Sequence, residues 1–98
     1  MRPVHPGEVL REDFLAPLGM TTNALANALR TALSKIEDVV HERRELDAVL
    51  ALRLARYFGG DAESWLNLQR DFDLKVALRA YGERIDAEIM PRDVHQAQ

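Results

Sequence analysis

The side chains best suited to chemistry in this chain are scattered rather than gathered. His5, His41 and His95 lie far apart, and the pair His41-Glu42 lacks the second histidine that completes the H-E-x-x-H zinc spacing. No cysteine is present, which removes disulfides, thiolate nucleophiles and Cys-based metal sites together. Carboxylates are plentiful at Glu12-Asp13, Glu37-Asp38 and Asp71/Asp73, but each group lies on a helical stretch with cationic neighbours, the pattern of a solvated face. Gly59-Gly60 falls between two helical stretches and reads as a helix stop, because no strand precedes it as a phosphate loop requires. The sequence therefore predicts neither an enzyme nor a bound metal or cofactor.

The elements that must position any other site are helical. Helix formers dominate the 98 residues, and Gly and Pro fall between periodic stretches, so an all-α domain is expected. Pro6 and Glu8 suit the first turn of a helix carrying a Leu10, Phe14, Leu18 stripe, with Pro17 and Gly19 ending it. Thr21 is the expected N-cap of a short helix over 22–29 that buries Leu25, Ala26 and Leu29. A third helix is predicted from Ala32 to Glu42, with Leu33, Ile36 and Val40 inward. Asp47 caps a fourth, ending at Tyr57-Phe58 before Gly59-Gly60, and Asp61 caps a fifth carrying Trp65, Leu68, Phe72 and Val76. Beyond Gly82, the residues Ile85, Ala87 and Ile89 alternate with charged ones, a faint strand signal closed by Pro91. The expected division is one domain over 1–81, with its helix pair at about 21–42, and a partly frayed extension over 82–98 that reads as helix or as a short strand.

Composition bounds the partners. Hydrophobic residues make up 47% and charged residues 30%, which excludes a disordered chain, and no apolar run is long enough to span a bilayer. No secretory leader pattern opens the chain, so a cytoplasmic protein is expected. The net charge of -3 argues against general attraction to nucleic acid and leaves only a local basic patch to provide it. Two short helices joined by a tight turn, with polar residues outside the second, match the geometry that seats a helix in the major groove.

Particular words sharpen this reading. His5-Pro6-Gly7-Glu8-Val9-Leu10, Phe14-Leu15-Ala16-Pro17-Leu18-Gly19-Met20, Ala51-Leu52-Arg53-Leu54-Ala55-Arg56-Tyr57-Phe58-Gly59 and Trp65-Leu66-Asn67-Leu68-Gln69 resemble the HigA-type antitoxins, which are Cro/repressor-like helix-turn-helix proteins. The resemblance runs from His5 to about Leu74. It implies a compact five-helix domain that dimerises, neutralises a HigB-like mRNA-cleaving toxin and represses its own operon at a palindromic operator. Trp65, Leu66 and Leu68 read as core, Arg53 and Arg56 as salt-bridged surface groups, and Asn67 and Gln69 as caps or bridges between elements.

Under that reading, Thr22, Asn23, Ser34 and Lys35 lie near the major groove, with Ser34 and Lys35 at base edges and Thr22 at the backbone, while Arg43 and Arg44 hold phosphates. A homodimer is expected, because one small domain meets only one half-site; Leu74, Leu78 and Tyr81 are its interface candidates, with Ile85 and Ile89 as a strand addition. Several positions depart from the family. Arg30 replaces a glycine at the turn, leaving Thr31 as the good N-cap candidate for the third helix. Glu37 stands where asparagine is common and Glu42-Arg43 where a glycine–lysine pair is common. From Arg30 to Glu45 four cations are balanced by four anions, so binding requires charges sorted onto different faces. Val49 and Leu50 replace polar residues and read as altered packing or a partner surface. The alternative is a toxin-binding module whose acidic recognition helix has lost DNA binding.

Overall fold

The computed structural model describes residues 2–92, and these form five helices with no strand among them. Helix α1 spans 6–18. The imidazole Nδ1 of His5 accepts the Gly7 N–H at 2.9 Å, and Pro6 occupies the first turn, where its missing N–H costs nothing. Gly7 is required on different grounds: a Cβ there would overlap the Val39 carbonyl oxygen.

The middle of α1 departs from the expected stripe. Leu10–Leu15 form a π-helical segment, in which Ala16 N–H reaches back to the Arg11 carbonyl. The wide turn lies just ahead of Pro17, whose ring and missing N–H disrupt an ordinary α ladder. Pro17 therefore sits inside the helix, and Gly19, at φ 61°, is the terminator. The extra residue also rephases the helix. Leu10 and Leu15 are buried, Phe14 is partly buried, and Leu18 is 63% exposed instead of completing the stripe.

Helix α2 (Thr22–Leu29) is capped by Thr21, whose hydroxyl accepts the Ala24 N–H at 3.0 Å, and it buries Leu25, Ala26 and Leu29 as expected. Helix α3 (Leu33–Val40) is shorter than the predicted 32–42. Its N-cap is Ala32 without a side-chain bond, and Thr31 turns back to donate to the Leu29 carbonyl at 3.3 Å. Ile36, Val39 and Val40 are buried, while Leu33 is 42% exposed rather than inward. Helices α4 (Ala48–Phe58) and α5 (Ala62–Glu88) start on Asp47 and Asp61, which accept the Leu50 and Ser64 N–H groups.

The core joins all five helices through Leu10, Leu25, Ile36, Leu46, Leu50 and Leu54, with Trp65 closing it against Phe14 at 5.2 Å between ring centroids. Leu50 therefore belongs to the core, whereas Val49 is exposed. Gln69 is buried beside it and bridges elements: its carbonyl accepts the Leu46 N–H at 2.8 Å and its amide donates to Asp73 at 2.9 Å.

Helix α5 runs for 27 residues, roughly 40 Å. It buries only Trp65 and Gln69, and Val76 is exposed rather than part of the core. The strand alternative for 85–89 gives way to helix through Glu88, with Ile89 as an extended C-cap. Extending an established helix adds one hydrogen bond per residue fixed, whereas an isolated strand there finds no partner among the described residues. The division expected between 81 and 82 falls within α5. Its projecting half makes the molecule 54 Å long and about 24 Å wide, with a radius of gyration of 17.4 Å against about 13 Å for a compact chain of this size.

Candidate nucleic-acid interface

Helices α2 and α3 and their connecting turn form a helix-turn-helix pair packed on α4 and α1. Asn23 and Ser34 are exposed at the amino-terminal ends of α2 and α3. Thr22 is half-buried, and its hydroxyl donates to the Glu37 carboxylate, which also meets His41 Nε2 at 3.0 Å. The Thr22 hydrogen bond is the main cause that holds the Glu37 pKa below its ordinary value, against an opposing effect of desolvation. Glu37 is thereby a tie between α2 and α3.

Lys35 is placed differently from Ser34. Its ammonium lies 2.7 Å from Asp47 Oδ2, joining α3 to the cap of α4. The bond from Lys35, followed by the Leu50 N–H, lowers the Asp47 pKa. Reaching a base edge would require Lys35 to leave this pair. Arg43 meets Asp38 at 3.1 Å, and Arg44 is exposed, close enough for its charge to act on Asp47. Glu42 meets Arg11 at 3.4 Å, so of the four anions in this stretch Glu37, Asp38 and Glu42 have partners inside the protein.

The turns on either side of α3 have the same construction. At α2, Thr31 N–H bonds the Ala26 carbonyl and Arg30 N–H the Asn27 carbonyl; at α3, Arg43 N–H bonds Asp38 and Glu42 N–H bonds Val39. Both are Schellman closures, which need a left-handed residue, and Arg30 (φ 54°) and Glu42 (φ 63°) supply it without being glycine. The turn at Arg30 thus keeps its left-handed geometry. Long-range arginines support both ends: Arg53 donates to the Leu29 carbonyl at 2.8 Å, and Arg11 to the Val40 carbonyl at 2.5 Å. Positive charge there also complements the negative carbonyl ends of α2 and α3. Arg53 is accordingly a helix cap. With Arg30, Arg56 and Tyr57 it lines an open hollow that no local pattern signalled.

Leu74, Leu78, Tyr81 and Ile85 are all exposed on α5, far along the chain from this face, and Ile89 follows at its C-cap. No group of acidic residues and histidines among the described residues could hold a metal ion, and His95 lies outside them.

No family profile matches the chain. Individual relatives do. It is 54% identical over 77 residues to virulence-associated protein I of Dichelobacter nodosus, covering 79% of this chain and 71% of that protein. It is 37% identical over 82 residues to antitoxin HigA-1 of Vibrio cholerae serotype O1, covering 84% of this chain and 77% of the relative. Among solved structures, the antitoxin HigA of Pseudomonas aeruginosa with the higBA promoter superposes at a TM-score of 0.89 and 43% identity, over 92% of this chain and 98% of that one.

Proposed function

Because the chain belongs to the family of HigA-type helix-turn-helix antitoxins, we propose that it neutralises a HigB-like mRNA-cleaving toxin and represses its own operon as a DNA-binding homodimer. The observation that carries this reading is the close superposition on an antitoxin solved with its promoter, together with exposed Asn23 and Ser34 at the start of the two candidate helices. The roles are those of a recognition protein rather than an enzyme. Thr22, Asn23, Ser34 and Lys35 face the major groove, and Arg43 and Arg44 hold phosphates. Leu74, Leu78, Tyr81, Ile85 and Ile89 form the dimer contact, and the protein works in the cytoplasm. No helix among the described residues is long and apolar enough to cross a membrane.

The pairing of Glu42 with Arg11, a cation from outside this stretch, supports DNA binding despite the balanced charge, whereas Arg43 must exchange Asp38 for a phosphate. The pairing of Lys35 with Asp47 favours the second reading, a toxin-binding module without an operator. Titration of the protein against its own upstream DNA at two salt concentrations separates the two. A selective shift that weakens with salt is expected, each phosphate contact adding roughly one unit to the salt slope. Lys35→Ala is expected to weaken that shift. A folded dimer with no selective shift at low salt would replace this reading with the second.

A further inference from the structure

Leu33 opens α3 with a side chain that the core does not use. Ile36, Val39 and Val40 carry the burial of this helix, whereas Leu33 is 42% exposed and stands outside the core cluster. Glu37, one turn later on the same side of α3, receives the hydrogen bond of the Thr22 hydroxyl, so Leu33 lies on the side turned toward the start of α2. Exposed Ser34 follows Leu33 in the chain, and exposed Asn23 follows Thr22. Charge is withdrawn from this first turn, because the Lys35 ammonium is held 2.7 Å from Asp47. A single exposed leucine is ordinary on a protein surface. This one lies at the leading end of the helix that the proposed function seats in the major groove.

Every base pair shows hydrogen-bond donors or acceptors in that groove, and one apolar group occurs among them, the C5-methyl of thymine. A leucine pressed against a polar base edge strips it of water and returns no hydrogen bond. Against the methyl it removes two apolar surfaces from water together. Resting on the reading of this chain as an operator-binding repressor, we infer that Leu33 determines specificity by packing on the C5-methyl of a thymine in each half-site, with the Ser34 hydroxyl left to a polar edge beside it. The operator then carries thymine at one fixed position of each half-site, a preference that no charge on α3 would select.

Uracil tests this without altering a hydrogen bond, since it is thymine without the methyl. Operator duplexes are synthesised from the upstream DNA that the protein shifts, free of methylated cytosine, with uracil replacing thymine at one symmetry-related pair of positions at a time. Each is titrated with the full chain and with Leu33→Ala, whose truncation lies outside the core and leaves the fold intact. One buried methyl changes an equilibrium about fourfold, so two half-sites give about fifteenfold. The unsubstituted protein is expected to lose about that much affinity at one thymine pair. Leu33→Ala is expected to bind the thymine duplex correspondingly more weakly and to respond little to uracil at that pair, while the remaining pairs affect both proteins alike. An equal response of the two proteins to uracil at every position would overturn the inference, as would no response at any position, and either result leaves the repressor reading standing. No selective binding of any duplex by the unsubstituted protein would remove both.

Discussion

Arg30 and Glu42 hold a conformation that side chains bearing a Cβ adopt at a cost of roughly 1 kcal/mol. Arg30→Gly should therefore raise stability by about 1 kcal/mol in chemical denaturation. Glu42→Gly should raise it by somewhat less, because it also removes an exposed ion pair with Arg11 that is worth little. A loss of stability in both variants would show that the arginine and glutamate side chains outweigh the backbone strain. His5 makes a second residue-level prediction. Its ring is buried, packs edge-on to Phe72 at 4.8 Å and caps α1 through an unprotonated Nδ1; burial is the leading cause that lowers its pKa. A lowered folded pKa means that the unfolded chain binds the proton first. Stability should be complete above the ordinary histidine value of about 6.5 and fall as pH drops from there through the folded pKa. His5→Asn keeps a capping oxygen without titrating, so its thermal midpoint should vary less between pH 7 and 5 than that of the unsubstituted protein. Equal slopes would assign the pH dependence to other groups.

At the scale of elements, helix ends divide into those decided locally and those decided by distant chain. Thr21, Asp47 and Asp61 act as caps within three residues of themselves, and Gly19 and Gly59 stop their helices through their own backbone freedom, so all five were legible in the sequence. The π segment was not, because it depends on how Pro17 is reconciled with a helix already packed on both sides. Nor were the closures at Arg30 and Glu42, where neither residue type announces a left-handed turn. The ends of α2 and α3 are held by Arg53 and Arg11, 24 and 29 residues away, and Gln69 reaches 23 residues to Leu46. Only the assembled fold brings such pairs together. Gln69→Leu should cost about 1–3 kcal/mol, since it strands the buried Leu46 N–H. An unchanged unfolding midpoint would mean that water replaces the lost acceptor.

For the whole molecule, the sequence predicted the five-helix order and the exposed polar starts of α2 and α3, because periodicity and capping report each helix separately. It did not predict how the charges would sort. That Lys35 meets Asp47 while Glu37 meets Thr22 follows from the packing of α3 between α2 and the start of α4. The faint strand beyond Gly82 was misleading for a related reason: alternation over five residues competes poorly with a helix already nucleated at Asp61. That same continuity makes α5 a gauge. Trp65 is fixed in the core and Tyr81 rides on the arm, with one unbroken helix between them. Each residue inserted between Arg70 and Leu74 would advance the arm by about 1.5 Å and swing it by about 100° around the axis. Insertions of seven or eleven residues would lengthen it with little change of facing, leaving a drift of about 20° in opposite senses. The distance at which the body holds whatever grips the arm is thus quantised by residue count, independently of which side chains face solvent along the way.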